Sequence, residues 1–366
     1  MRRRPRGDRA ALVLAAILIA GCSAAGSPHT RPPDDGEPQD RKEAGLRAVP
    51  EAPGGRAGPE RPAEEGRKPA GTDPAAVGAN ELGAVPVLMY HRVTEDAAGV
   101  DDRTPQDFRA ELERLAREGY VPVTAREFTG GGIDIPAGTH PVVLTFDDSA
   151  PSQFRLDEHG RPDPDTAVGI LLEVARRHPG FRPVATFFVN EDPFGDPGGR
   201  KTLRWLHDNG FEIGNHTLRH TLLSEAGEET VRWDIAAGQW AVHKVLPGVS
   251  VVSMALPYGA APRPGRLAAA GEYAGVAYRH QGVYLAGAGP APSPHSAGFD
   301  PGAVPRIRSQ ATAGPDASYG STAWLDRLSD GRAERYTSDG DPERISFPRS
   351  REHLLDPAHR DAARPY

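Results

Sequence analysis

A chain of 366 residues has room for two or three domains, or for one large barrel of alternating strands and helices of ~250 residues with appendages. Its formal charge of −7 becomes about −11 without residues 1–21, which hold five Arg and one Asp, and so acidic a protein is a poor partner for nucleic acid. The sole cysteine, Cys22, excludes an internal disulfide.

The chain begins with a basic run, an apolar stretch from Ala10 to Ala20 and small residues before Cys22, the layout of a secretory signal. That stretch is about half of the ~20 apolar residues a membrane-spanning helix needs. Its end, "LIAGC", resembles the lipobox of bacterial lipoproteins. The resemblance implies that residues 1–21 are a signal peptide, that Cys22 carries a lipid, and that the protein is exported and anchored to the outer face of the cell membrane or within the cell envelope. Residues 22–85 are rich in Pro, Gly, Ala, Glu and Arg, with neither an aromatic residue nor a hydrophobic period. They cannot bury enough apolar area to offset ordering entropy, so they read as a disordered tether with a reach of about 45 Å.

Residues 86–346 read as the folded domain and residues 347–366 as a polar C-terminal tail. Strand-like runs recur in the domain: "PVLMYHRV", "PVVLTFDD", "ATFFVN", "FEIGNH", "VVSMALPYG", "GVAYRH" and "VPRIRS". The first helix between them is "TPQDFRAELERLAREG", with Thr104 as N-cap, Pro105 at N1, Asp107 at N3, an apolar stripe of Phe108, Leu112 and Leu115, and Gly119 at its end. "TAVGILLEVARRH", "GRKTLRWLHDNG" and "EETVRWDIAAGQWAVHKVL" follow as further helices. Strand alternating with helix implies an α/β fold on a parallel sheet, open or closed into a barrel. Arg155 to Asp165 reads as a polar insertion, and Gly287 to Gly302 as a long Pro-rich loop.

In such folds the chemistry gathers at the carboxyl ends of strands. Asp147 and Asp148 end one strand, His216 ends another, Tyr258 a third, and His91 lies late in the first. A turn of helix after His216 would bring His220 to the same side. Two histidines and a carboxylate form a ligand set that leaves a divalent cation an open position. A cation there also compensates two adjacent acids that would otherwise repel, the alternative being that the acids only cap the next turn.

At these residues the chain resembles the polysaccharide deacetylases, the carbohydrate esterases with a NodB-like domain, through "TFDD", "HTLRH" and "LPYG" in that order. The resemblance implies a distorted (β/α) barrel, a zinc-like metal with nickel or cobalt as alternatives, and removal of N-acetyl groups from an N-acetylhexosamine polymer such as poly-N-acetylglucosamine, peptidoglycan or a chitin-like glycan. Carried onto this sequence, Asp147 is the general base, Asp148, His216 and His220 hold the metal, and the Tyr258 backbone N–H helps hold the oxyanion. Two features depart from the common pattern: Ala255 stands where most members have Arg, and the C-terminal third lacks a Leu-x-His motif. Both match the circularly permuted branch that resembles poly-N-acetylglucosamine deacetylases, in which the acid histidine sits on the first strand. His91 then takes that role, its alternative being a packed strand histidine, and Arg306 either replaces the missing Arg beside Asp147 or forms a surface ion pair.

Ser149, where the family usually has Gly, and the 155–165 insertion alter the shape of the cleft. His159 beside Asp157 and Glu158 reads as a solvated loop rather than a second metal site. Trp205, Trp233 and Trp240 lie on helix faces as core residues, whereas Trp324 is assigned to no element. Two other functions use the same residues: a non-catalytic glycan-binding envelope lipoprotein, and an O-acetyl esterase of xylan-like polymers.

Overall fold

The structure is a computed structural model that describes residues 72–287, 289–310 and 316–366. The signal segment, Cys22 and most of the tether lie outside the described residues. Among those described, no helix is long and apolar enough to cross a membrane.

In chain order the elements are β1 (Val87–Tyr90), α1 (Pro105–Arg117), β2 (Tyr120–Val123), α2 (Ala125–Thr129), β3 (His140–Phe146), α3 (Ala167–Arg177), β4 (Thr186–Val189), α4 (Thr202–Asp208) and β5 (Glu212–Asn215). They continue with α5 (Glu228–Val245), β6 (Ser253–Ala255), α6 (Arg266–Ala269), β7 (Ala270–Tyr273), β8 (Val276–Arg279), β9 (Gly282–Tyr284), β10 (Ile307–Arg308), α7 (Ser321–Ser329), β11 (Ile345–Phe347) and β12 (Ala363–Pro365). The caps are those that the residues dictate. Thr104 Oγ1 accepts from the Asp107 N–H at 3.1 Å, and Thr166 caps α3 in the same way.

Eight strands form one sheet in the order β10-β1-β3-β4-β5-β6-β9, with β2 also paired to β3, and every pairing in it is parallel. The sheet curls on itself because one stretch touches both of its edges. Ile307 pairs with Leu88 on β1, while Val304, just before it, bridges Tyr284 on β9. The result is the expected distorted (β/α) barrel.

Both faces of the strands are covered, so β3 is buried along its whole length. Leu88, Leu144 and Phe187 face outward to α1, α3 and α4, packing with Phe108, Leu112 and Leu171. Their neighbours Val87, Val143 and Phe188 face the opposite way, into a second cluster with Val123, Ala255 and Tyr284. This is the period-two alternation of a strand.

The folded part is larger than the sequence reading of 86–346. Leu82 packs with Ile345 and Phe347, Asn80 bridges Thr337 and Ala84 bridges Arg335. Residues 80–85 of the expected tether are therefore part of the fold. The stretch 347–366 is not a polar tail, since β12 pairs in parallel with β11. The apolar residues that anchor both ends are too sparse locally to show a period, and their burial partners lie more than 250 positions away along the chain.

One other reading changes and two are extended. "GVAYRH" forms a strand, but β8 pairs with β7 in a separate antiparallel hairpin, and the sheet strand is the next run, "GVY" of β9. The Pro-rich stretch after Gly287 is packed: Ala291 bridges Val85, and the Ser293 hydroxyl donates to the Glu81 carbonyl. Trp324 lies on α7, packed against the outer core and beneath Arg327. Within the 155–165 insertion a tight turn forms as Asp157 accepts from the backbone N–H groups of His159 and Arg161.

Candidate active site

Parallel strands bring their carboxyl ends to one side. That side collects His91 after β1, Asp147 and Asp148 after β3, His216 and His220 after β5 and Tyr258 after β6, whereas Arg306 precedes β10 and reaches Asp147 with its side chain.

Asp147 is only 2% exposed. Arg306, fully buried, grips it with two bonds of 2.7 Å, Nη1 to Oδ1 and Nη2 to Oδ2. The guanidinium is itself held by the Leu285 carbonyl, which accepts from Nε at 2.6 Å, and by the Thr145 hydroxyl at 3.2 Å. Burial alone would push the Asp147 carboxyl up; Arg306, then His216, outweigh it and hold the group far below the usual carboxylate range. Of the two possibilities open for Arg306, the surface ion pair is excluded.

Asp148 is more open, its side chain 44% exposed. Its Oδ1 lies 3.5 Å from His216 Nε2 and 3.4 Å from His220 Nε2. The three residues offer ligand atoms within 4.8 Å of one another, forming the one such cluster among the described residues. His216 Nδ1 lies 2.8 Å from the Ala255 carbonyl. A carbonyl only accepts, so Nδ1 carries a proton and Nε2 is the nitrogen that faces Asp148, the one available to a metal. The donor set fits a zinc-like cation. His159 is not part of any such cluster; it lies exposed beside Glu158.

Burial disfavours charge on His216, but Asp147 and then Asp148 more than compensate, placing its pKa above the ordinary value. At half-buried His220 the shift is downward, from burial and then from His216. The His220 ring meets the exposed Tyr258 ring edge-on, with 4.6 Å between centroids. His91 is half-buried, and its Nδ1 is buried without a partner among the described residues. Burial would raise the Asp148 carboxyl, but His216 beside it holds the group below its ordinary value.

Backbone strain is concentrated here. Asp148, Ser149, Thr217, His220 and Tyr258 all have positive φ, between 46° and 72°, a region costly to residues with a Cβ. Two residues overlooked in the sequence secure these turns. The Gln153 amide donates to the carbonyls of both His91 and Asp147, and Asn190 Nδ2 donates to the His216 carbonyl at 2.8 Å. Only their nearness to the "TFDD" and "ATFFVN" runs could have marked them. Ser149 joins the two turns, its hydroxyl accepting from the Asn190 N–H at 3.2 Å.

A family model described as polysaccharide deacetylase matches residues 134–278. None of the curated proteins compared matches the chain. Among solved structures, the chain is similar to the Streptococcus pyogenes deacetylase PplD in complex with acetate, at 20% identity over 64% of this chain and 96% of that one, with a TM-score of 0.47. It is similar to IcaB from Ammonifex degensii at 20% identity, over 66% and 97%, TM-score 0.43. For the BpsB deacetylase domain from Bordetella bronchiseptica the figures are 17% identity, 62% and 96%, TM-score 0.42. The family match runs from just before β3 into β8; His91 and Arg306, which the fold delivers to the same place, lie outside it. By that match and the motifs it contains, residues 134–278 of the chain are similar to the polysaccharide deacetylases.

Proposed function

We propose that the protein is a metal-dependent N-deacetylase acting on an N-acetylhexosamine polymer of the cell envelope, of the permuted branch in which the acid histidine sits on the first strand. The observation that carries this reading is the pairing of two differently treated carboxylates: Asp147 buried and clamped by Arg306, Asp148 turned toward two imidazoles.

A divalent cation held by Asp148, His216 and His220, zinc first with nickel or cobalt as alternatives, would polarise the acetamide carbonyl and acidify a water molecule. Asp147 keeps lone pairs free beyond those used by Arg306 and takes the proton from the attacking water. Arg306 keeps that carboxylate ionised and fixed in direction. The Tyr258 backbone N–H donates to the carbonyl oxygen as negative charge develops on it. His91 supplies the proton with which the sugar amine departs, leaving acetate and a free glucosamine unit.

Acetate and free amine released from poly-N-acetylglucosamine oligomers, peptidoglycan and chitin oligomers decide the matter. We expect the two products in equal amounts, loss of both on chelation, and recovery with zinc. Acetate without amine would indicate an esterase, and glycan binding without acetate a non-catalytic protein. We also propose that Cys22 is lipidated and holds the domain at the outer face of a membrane; membrane fractionation of Cys22→Ser, expected to release the protein, tests this.

A further inference from the structure

We propose that Asp234, on α5, is a positioning residue for the two metal-ligating imidazoles, acting through the backbone of the loop that carries them. The inference rests on the metal site proposed above.

The loop from His216 to Thr221 leaves β5 with Thr217 at φ 62° and His220 at φ 54°. Two left-handed residues in so short a stretch need external support. Asp234 provides it while fully buried. Its Oδ1 accepts from the Leu218 N–H at 3.0 Å and from the Arg219 N–H at 2.8 Å, and its Oδ2 from the Thr221 N–H at 3.4 Å. These three amides flank His220 on both sides. All the side-chain partners of this carboxylate among the described residues are backbone amides of this one loop. The other end is tied to the same helix: Asn215 Oδ1 accepts from the Thr217 N–H at 2.8 Å, and Asn215 Nδ2 donates to the Ile235 carbonyl at 3.0 Å.

A second observation on α5 points the same way. Gly238 is one turn after Asp234, on the same face, in mid-helix where glycine is disfavoured. A Cβ there would come within 2.7 Å of Asn215 Oδ1, 3.0 Å of the Thr217 carbonyl carbon and 3.2 Å of the Leu218 nitrogen. Asp234 draws the loop onto the helix and Gly238 lets it approach. Together they set where His216 Nε2 and His220 Nε2 stand relative to Asp148.

The test measures zinc affinity by calorimetry, the visible spectrum of the cobalt-substituted protein and the melting temperature of the metal-free protein, for the wild type, Asp234→Asn, Asp234→Ala, Gly238→Ala and Ile235→Val. Outer-shell partners of a metal ligand typically change affinity by 10–100-fold. We expect a loss in that range for Asp234→Ala and a smaller one for Asp234→Asn, whose remaining oxygen still accepts from two amides. Gly238→Ala should also lose affinity, although alanine favours the helix. All three should shift the cobalt spectrum. Ile235→Val, a buried change on the same helix, should lower the melting temperature and leave affinity and spectrum unchanged. If Asp234→Ala does not fold, Asp234→Asn and Gly238→Ala carry the test. Folded variants that bind zinc as the wild type does, with its cobalt spectrum, would overturn the proposal; so would an Ile235→Val that loses as much affinity as Asp234→Asn. A wild type that takes up no metal would refute the metal site itself, and this inference with it.

Discussion

Asp147 and Asp148 are adjacent in sequence yet differ in exposure and in partners, the first 2% exposed and bonded to a guanidinium, the second half open to solvent and near two imidazoles. Asp147→Asn keeps the shape and removes the proposed base, so metal should stay bound while turnover falls by roughly 10²–10⁴-fold. Asp148→Asn should instead weaken metal binding, with added metal restoring part of the rate. Calorimetry and acetate release on the same two variants separate the roles. Arg306→Met leaves a buried carboxylate unpaired, a change that costs ~3–5 kcal/mol, and urea denaturation should show it. The spacing of His216 and His220 makes the imidazole pair legible from the sequence alone. Arg306 is not decidable in the same way, because it lies 159 positions from the acid it clamps and nothing local distinguishes it from a surface arginine. Gln153 and Asn190 leave still less trace, since their work is done by side-chain amides on backbone carbonyls.

At the scale of elements, local signals suffice where an element's own residues decide its form. The Thr104 cap and the stripe of α1 are examples, as are the uninterrupted apolar residues of β3. Short strands are harder to place. β8 and β9 are separated by two residues with similar composition, and only the hairpin partner β7 decides which of them joins the sheet. The segment around Glu81 is another long-range case, and its electrostatics are measurable. Burial, and the Asp339 carboxylate after it, raise the Glu81 carboxyl to about 8, against bonds from the Ser346 and Asp339 N–H groups and the Tyr336 hydroxyl. An acid with a raised folded pKa favours the fold in its protonated form. Its contribution is therefore complete below pH ~4.5 and is lost as pH rises toward ~8, at up to about 1.4 kcal/mol per unit. Denaturation midpoints should fall across that window, and Glu81→Gln should flatten the profile.

For the whole molecule, the two ends of the described chain fold against each other, with Leu82 packed on Ile345 and Phe347. Removing residues 348–366 takes away β12 and uncovers these side chains. Each is worth about 1.5–3 kcal/mol when fully buried, so the melting temperature should drop by several degrees. A dispensable tail would leave it unchanged.

The stretch from Val304 to Arg308 that meets both sheet edges also carries Arg306, and this sets an order of events. A ribosome delivers the chain from its N-terminus, so β1, β3, β5 and the two acids exist as polypeptide long before the last sheet strand is made. Until that strand docks, Asp147 has no guanidinium to offset its burial, and the barrel is open along one seam. Closure of the sheet and clamping of the proposed base thus depend on one and the same segment. A chain that stalls short of it carries "TFDD", "HTLRH" and "LPYG" but not the clamp on Asp147.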